Sequence, residues 1–282
     1  MKIARVPGPS GTPVFAVGDP DTGWVPVAEL GVQAQSTADV IAAADQLAEG
    51  LASYAGERVA VSADQLAAPV ALPQKILCIG MNYLDHIRET GLDAPERPVL
   101  FGKWPNTLVG PHGDVVLDPE LTSQMDYEVE LAAVIGRTTS KISEADALDA
   151  VFGYTVANDV SARDWQFRDP QWDRSKSFDT FLPLGPWLTT ADEITDPQNL
   201  GLRCLVNGEV RQDSNTAQML FSIAHIVAFL SRGMRLEPGD IILTGTPVGV
   251  GMGMDPKGYL SHGDTVRCEI SGLGAIENRI VP

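Results

Sequence analysis

Short apolar runs separated by turns dominate the hydrophobic pattern of this chain, and one run organises the rest. Between Asp126 and Gly136 apolar residues alternate and a glycine ends the run, which predicts a β-strand. Side chains two apart on a strand point the same way, about 6.5–7 Å apart. Glu128 and Glu130 should therefore share one face, and the other face carries Tyr127, Val129, Leu131, Ala133 and Ile135.

The two glutamates have two interpretations. They could mark the solvent face of an amphipathic strand, but the same face continues as Ala132 and Val134, which are not typical solvent-face residues. Two carboxylates held close at a half-buried position repel each other, and they stay ionised only where a cation or hydrogen-bond donors compensate. Because structural ion-pair networks also perturb such groups, the strand alone leaves a metal site and an ion pair open.

The remaining pattern predicts a mixture of strands and helices. Strands are indicated at 75–80, 99–101, 151–158, 202–206, 209–212 and 241–244, and two more near the C-terminus. Helices are indicated at 36–54, from Asn82 to Gly91, after Ser143, at 163–166 and at 219–232. Ser36 or Thr37 can cap the first of these helices, and in the second Asn82 can cap the start and Gly91 can end it. Residues 59–72 are predicted to form a strand and an extended link. Because no chemistry assembles in residues 1–70, we interpret them as a small N-terminal α/β domain that precedes a catalytic domain at 71–282.

A histidine and a glutamate stand three residues apart in the predicted helical turn. His86 and Glu89 would lie on one helix face and could reach each other. A carboxylate beside an imidazole fixes its tautomer and raises its basicity, as a general base requires. The alternative is an ordinary surface His–Glu pair, which is common and contributes little.

Polar residues also follow the predicted strand that ends at residue 158. Asp159 is placed to supply a third oxygen ligand, although Asp159 or Ser161 could instead only cap a helix. Arg163 and Gln166, three apart on a new helical turn, offer guanidinium and amide donors to a carboxylate. The polar and aromatic segment 171–179 could be a lid that carries Lys176 towards the site.

Charge and composition narrow the partners. The 282-residue chain has a net charge of −17, so it has no basic stripe for nucleic acid or an anionic membrane surface. Neither a signal peptide nor a run of about 20 apolar residues is evident. The three cysteines are too scattered for a disulfide framework or a thiolate metal site. We expect a cytoplasmic protein, and an anionic substrate would require local cations or a metal at the site.

A glycine-rich stretch from Gly245 to Gly253 invites comparison with nucleotide-binding loops. It contains no Gly-x-Gly-x-x-Gly, and Asp255-Pro256 follows where a helix should start. A loop whose backbone approaches closely and lines a small-molecule pocket fits better.

Jointly these motifs resemble the fumarylacetoacetate hydrolase family, over about residue 70 to the C-terminus. The matching pieces are Gly-x-Asn-Tyr-x-x-His-x-x-Glu ending at Glu89, Glu128-x-Glu130, residues 158–166, Lys176-Ser177-Phe178-Asp179, and Thr244-Gly245-Thr246-Pro247-x-Gly249-Val250-Gly251. The resemblance implies an α+β fold, a mixed β-roll with peripheral helices, and a homodimer.

The resemblance also implies roles for individual residues. In that family a divalent cation, usually Mg²⁺ or Mn²⁺, is held by the residues that match Glu128, Glu130 and Asp159, and an all-oxygen set suits such hard cations. His86 and Glu89 match the pair that activates water in hydrolytic members. Lys176 matches the family's lysine and is implied to be catalytic, and the implied substrate contacts are Arg163, Gln166 and Thr246. Some members add a carboxylate ligand before the histidine, but Cys78-Ile79-Gly80 stands there, so we expect three protein ligands.

These expectations converge on enolate chemistry of a 2-oxo acid. A divalent cation beside a developing oxyanion stabilises it, so our sequence-based hypothesis is a metal-dependent hydrolase that cleaves a C–C bond in 2,4-dioxo acids. Decarboxylation of oxaloacetate needs the same chelation without water, and isomerisation of an unsaturated 2-oxo diacid is a third possibility. A catalytically silent metal-binding protein of the same fold is the alternative from another class.

Overall fold

The computed structural model describes residues 1–282 and consists mostly of strands. The strands are β1 (Lys2–Val6), β2 (Val14–Asp19), β3 (Gly23–Pro26), β4 (Ile76–Gly80), β5 (Val99–Lys103), β6 (Leu108–Val109), β7 (Val115–Val116), β8 (Met125–Asp126), β9 (Val129–Ile135), β10 (Val151–Asn158), β11 (Ser161–Ala162), β12 (Leu182–Thr190), β13 (Gly201–Val206), β14 (Glu209–Asn215), β15 (Ile241–Leu243), β16 (Thr265–Ile270) and β17 (Gly274–Val281). The α-helices are α1 (Thr37–Ala42), α2 (Ala44–Ser53), α3 (Leu84–Thr90), α4 (Arg163–Arg168) and α5 (Ile223–Gly233). None of them is long and apolar enough to cross a membrane.

Two large sheets enclose the main core. The ten-stranded sheet has the order β3-β2-β1-β12-β10-β9-β15-β4-β5, with β6 beside β12, and the five-stranded sheet has the order β14-β13-β16-β17-β7. The first sheet is mixed, because β4 runs parallel to β15 and β6 parallel to β12 while its other pairs are antiparallel. The predicted α+β fold with a mixed sheet and few peripheral helices is confirmed.

One edge of the large sheet collects the chemistry. Strand β9 runs antiparallel to β10 and β15, and β15 runs parallel to β4, so the start of β9 lies beside the ends of the other three strands. The polar residues that follow β4, β10 and β15 therefore meet the glutamates at the start of β9. Strand β9 itself is buried on both faces, which explains its nearly continuous apolar sequence.

The N-terminal segment continues the large sheet. Strand β1 pairs with β12 through Lys2 and Thr189, and Ile3 and Val17 share a hydrophobic cluster with Ala132 of β9. The segment 59–72 forms isolated bridges rather than the predicted strand. The division of the chain at residue 70 stays a prediction.

Several element predictions need correction. The predicted helix 36–54 is interrupted at Ala43, and only its N-terminal cap, Ser36 with Asp39, forms as expected. The apolar helix begins at Ile223 rather than 219, because Ser222 caps it. The predicted Asn82 cap is wrong: Tyr83 occupies that position, and the buried Asn82 amide instead donates to the carbonyls of Thr244 and Phe221.

The organising strand is also broken. Residues 126–136 form β8 and β9, with Tyr127 and Glu128 outside both. Glu128 lies outside the ladder because its N–H donates to the Asn158 side-chain oxygen at 2.9 Å. Glu128 and Glu130 nevertheless bring carboxylate oxygens within 4.8 Å of each other, although Glu128 lies outside the strand.

Candidate active site

Backbone pairing brings three carboxylates to the edge of the large sheet. The N–H of Asp159, directly after β10, donates to the carbonyl oxygen of Glu128 at 2.9 Å, and Glu130 faces Ala157 in the ladder. One oxygen from each of Glu128, Glu130 and Asp159 lies within 4.8 Å of the other two, and all three residues are buried. The structure thus brings together the three carboxylates that the sequence analysis grouped, and their roles as metal ligands stay predictions.

Buried cations balance part of this negative charge. The Lys176 ammonium contacts both Glu128 and Asp159 at 2.7 Å, and Arg163 Nη2 lies 2.7 Å from Glu128 Oε1. Burial alone would raise the pKa of Glu128, but the positive charges of Lys176 and Arg163 hold this pKa below its ordinary value. Burial likewise opposes the charge on Lys176, yet Asp159 and Glu128 raise its pKa.

Glu130 is the least compensated member of the group. It accepts one hydrogen bond, from the Gly245 N–H at 2.7 Å. Burial, together with the charges of Asp159 and Glu128, raises the pKa of Glu130 well above its ordinary value. No lysine or arginine forms an ion pair with Glu130, so this buried set of three carboxylates fits a hard divalent cation, and these residues could hold Mg²⁺ or Mn²⁺.

The histidine and glutamate of α3 form the predicted pair. His86 Nδ1 lies 2.8 Å from Glu89 Oε2, and both side chains are mostly buried. Because an ionised carboxylate only accepts hydrogen bonds, Glu89 favours the tautomer with hydrogen on Nδ1 and leaves Nε2 as the basic atom. The αL cap at Gly91 that ends this helix is also confirmed.

The predicted substrate contacts are largely engaged by the protein itself. Arg163 donates from Nε to Asp126 at 2.8 Å and from Nη1 to Gln166 at 2.9 Å. The Thr246 hydroxyl donates to the Val129 carbonyl at 3.0 Å. All three predicted contacts, Arg163, Gln166 and Thr246, nevertheless border the same cavity, so their substrate roles stay predictions.

One cavity of about 410 Å³ connects two members of the acidic triad, Glu128 and Glu130, with the histidine. Its buried wall carries the ionisable side chains of His86, Glu128, Glu130, Arg163 and Lys176. Its exposed side includes the apolar side chains of Leu92 and Phe167, which are 62% and 71% exposed, beside Lys257. The segment 171–179 lies against this cavity through Trp172 and Lys176. The cavity therefore has a polar interior and a largely apolar mouth, as small-molecule sites often do.

Sequence reasoning missed two buried charged residues. Lys103, the last residue of β5, donates to Asp159 Oδ1 at 2.7 Å and to the Val160 carbonyl at 3.1 Å. Asp126 lies behind the cavity and binds Arg163. A single lysine that ends the apolar run Val99–Lys103 was a usable signal, whereas Asp126 appeared only as the start of a strand.

A comparison with protein families extends this description. Residues 75–281 match the family model described as the fumarylacetoacetate (FAA) hydrolase C-terminal domain. The chain belongs to the fumarylacetoacetate hydrolase family. The expectation drawn from the motifs is confirmed at this level.

Relatives of known name fall within this family. The chain is 52% identical over 218 residues to the mitochondrial oxaloacetate tautomerase fahd2 of Xenopus laevis, which covers 77% of this chain and 68% of the relative. It is 50% identical over 216 residues to the human mitochondrial oxaloacetate tautomerase FAHD2A, with 76% and 68% covered.

Solved structures of the family share the fold over the whole chain. The fumarylacetoacetate hydrolase from Exiguobacterium antarcticum has a TM-score of 0.85 and 37% identity, with 100% of this chain and 99% of the other covered. The maleylpyruvate hydrolase from Sphingobium sp. SYK-6, in complex with manganese(II) ion and pyruvate, has a TM-score of 0.81 and 30% identity, with 100% and 99% covered. The 2-hydroxyhepta-2,4-diene-1,7-dioate isomerase from Mycobacterium marinum has a TM-score of 0.78 and 36% identity, with 100% and 98% covered.

Proposed function

We propose that this protein is a divalent-metal-dependent enzyme that transfers a proton at carbon 3 of a 2-oxo acid and interconverts the keto and enol forms of oxaloacetate. The observation that carries the proposal is the position of the His86–Glu89 pair, 2.8 Å apart, in the wall of the cavity that also exposes Glu128 and Glu130 of the acidic triad. A base beside an all-oxygen cation site is the combination that enolisation next to a carbonyl requires.

The residues of the chain would divide the work as follows. From the keto form, His86 Nε2 removes a proton from carbon 3 while the oxygen on carbon 2 takes up a proton; in the reverse direction His86 returns a proton to carbon 3 as the enol loses its O–H proton. Glu89 holds the imidazole in the basic tautomer. Lys176 and Arg163 counter the negative charge that a dicarboxylate brings into a site already rich in carboxylates. Glu128, Glu130 and Asp159 would hold the cation, which supplies electrophilic stabilisation of negative charge on the oxo oxygen.

Similarity supports oxaloacetate as the first substrate to test. Relatives that are 50–52% identical over more than three quarters of this chain are named oxaloacetate tautomerases. The isomerase and hydrolase structures of the family are 30–36% identical. The identity therefore favours tautomerisation over the C–C cleavage that the motifs alone suggested.

Hydrolysis of 2,4-dioxo acids is the second candidate. The same base, His86, would then deprotonate a water molecule, and a maleylpyruvate hydrolase shares the fold at a TM-score of 0.81. Oxaloacetate decarboxylation and isomerisation of an unsaturated diacid stay alternatives within the same chemistry. The choice between Mg²⁺ and Mn²⁺, the cytoplasmic location and the homodimer stay predictions.

One set of assays separates these possibilities. The protein is stripped with EDTA and reloaded with Mg²⁺ or Mn²⁺, and keto–enol exchange of oxaloacetate, pyruvate release from oxaloacetate and cleavage of an acylpyruvate are followed side by side. We expect metal-dependent keto–enol exchange that falls by about 10²–10⁴-fold in His86→Ala.

Each other outcome has a defined meaning. Cleavage of the acylpyruvate without faster keto–enol exchange would favour the hydrolase. Pyruvate release alone, indifferent to His86→Ala, would favour the decarboxylase. Inactivity on all substrates, with a thermal shift on adding Mn²⁺, would favour a silent metal-binding protein.

A further inference from the structure

Asp126 is a buried carboxylate that does not line the cavity, yet it contacts two parts of the site. Its Oδ2 accepts hydrogen bonds from Arg163 Nε at 2.8 Å and from the Met252 N–H at 3.0 Å, and its Oδ1 accepts from the N–H groups of Gly251 at 2.7 Å and Tyr127 at 2.9 Å. Asp126 is fully buried. It therefore joins the segment Gly245–Gly253, which we call the glycine loop, to Arg163.

The other contacts of these partners lead to the catalytic groups. Arg163, held by Asp126 on one side, places Nη2 at 2.7 Å from Glu128 Oε1 on the other. The glycine loop also donates from the Gly249 N–H to Glu89 Oε1 at 3.0 Å, while Glu89 Oε2 holds His86. The loop is thus fixed by two carboxylates, one paired with the base and one paired with the arginine.

Two glycines make this close approach possible. A Cβ at Gly251 would lie 2.7 Å from Asp126 Oδ1 and 2.5 Å from the Gly258 carbonyl oxygen, and a Cβ at Gly253 would lie 2.3 Å from Glu89 Oε1. Real Cβ atoms do not approach oxygen so closely, so only glycine lets the loop backbone meet both carboxylates at these points.

We propose that Asp126 is a positioning residue, which acts through Arg163 and the glycine loop to hold Glu128, Glu89 and His86 in one arrangement. Asp126 does not line the cavity, and none of its hydrogen bonds reaches the acidic triad. A guanidinium buried against a single carboxylate has several orientations, whereas one held between two carboxylates has one. Without the Asp126 charge, Arg163 keeps Glu128 as its only carboxylate partner and the loop loses one of its two anchors.

The test compares variants that disturb the contact between Asp126 and the glycine loop, one changed at Asp126 and one changed in the loop. Asp126→Asn keeps the shape but offers one acceptor oxygen, and its NH₂ group must face an existing donor. Gly251→Ala keeps the charge and blocks the approach of the loop. Asp164→Asn is the matched control, since Asp164 is the next residue after Arg163 but accepts from Thr122 Oγ1 and contacts neither the loop nor the guanidinium.

The readouts are the affinity for Mn²⁺, the affinity of the Mn²⁺-loaded protein for oxalate, and kcat and KM for oxaloacetate. We expect both Asp126→Asn and Gly251→Ala to lose about 10–100-fold in Mn²⁺ affinity or in kcat, as when a group that orients a metal ligand is removed. KM should change less than kcat, and Asp164→Asn should resemble the wild type.

The double variant Asp126→Asn/Gly251→Ala distinguishes positioning from general support of the fold. If both changes break one link, their effects on Mn²⁺ and oxalate affinity are far from additive. Additive effects, or a lower urea midpoint with unchanged Mn²⁺ affinity, oxalate affinity and kcat, would overturn the proposal. Only the kinetic readout, kcat and KM for oxaloacetate, rests on the proposed function. A wild-type protein that binds Mn²⁺ and oxalate but does not turn over oxaloacetate would refute that function. The affinity measurements would still decide the role of Asp126.

Discussion

Replacing Glu89 by glutamine tests whether the carboxylate supports His86 as a base. Glu89 uses Oε2 for His86 Nδ1 at 2.8 Å and Oε1 for the Gly249 N–H at 3.0 Å. Glutamine has the same shape but a single acceptor oxygen, so it satisfies one of these two donors and directs its own NH₂ group at the other. The charge that stabilises the protonated imidazole is lost in either orientation.

The expected magnitude follows from the contact that disappears. A hydrogen bond to a charged group contributes about 1.5–3 kcal/mol, and each 1.36 kcal/mol is tenfold in rate. The Glu89 side chain is only 13% exposed, so solvent screens this contact little. We therefore expect kcat for keto–enol exchange to fall by roughly 10–150-fold, while Mn²⁺ affinity changes little.

The chain offers a matched control for this experiment. His225 and Glu144 form the same type of pair at 3.1 Å, but their side chains are 39% and 56% exposed and lie away from the cavity. Glu144→Gln should leave kcat at the wild-type value. If Glu89→Gln retains wild-type kcat in the Mn²⁺-loaded enzyme, Glu89 does not support the base, and the assigned division of roles is wrong.

Three other predictions concern charge, substrate size and pH. Lys103→Met removes one of the two lysines that contact the buried Asp159 and leaves Lys176 in place. It should lower the free energy of unfolding in urea by about 1.5–3 kcal/mol, the contribution of a hydrogen bond to a charged group. Lys2→Met, which breaks a pair near the surface, should cost less than about 1 kcal/mol, and equal losses would contradict this reasoning. Phe167→Ala should raise KM for 2-oxo acids with a bulky apolar substituent by roughly tenfold or less and leave KM for oxaloacetate unchanged. An equal rise in KM for both kinds of substrate would exclude a role of the apolar mouth in substrate selectivity. A hydrogen bond from the Gln35 N–H lowers the pKa of Asp39. The ionised Asp39 therefore stabilises the fold above its ordinary pKa, and this contribution is lost as the pH falls through the lower pKa of the folded state. The difference in free energy of unfolding between wild type and Asp39→Asn should shrink on acidification, and a difference that stays constant with pH would refute this prediction.

Several features of the site could be predicted because they depend on short-range geometry. The spacing of His86 and Glu89 determines that they share a helix face, and the structure places them 2.8 Å apart. The Asn207-Gly208 turn predicts a hairpin, which forms between β13 and β14. The family motifs further indicated which carboxylates belong together, although neither spacing nor composition shows that Asp159 meets Glu128.

The wrong or missed details all involve partners distant in sequence. Asn82 is a residue type that often caps helices, but its side-chain amide donates to the carbonyls of Thr244 and Phe221. The contact with Thr244 forms because β4 and β15 are neighbours in the sheet. Lys103 ends an apolar run, which suggests burial, but nothing near it in sequence indicates which anion it meets, because its partner Asp159 is 56 residues away.

The sequence by itself determined the strand-rich composition, the local helix and turn signals and the residue types able to hold a cation. The tertiary structure decided which of them meet, because the order β10-β9-β15-β4 brings the ends of three strands to the start of a fourth. It also decided how buried charge is balanced, through Lys103 and Asp126. The physical reason is that dihedral preferences and side-chain periodicity act over a few residues, whereas compensating a buried charge requires whichever opposite charge the fold places within a few ångströms.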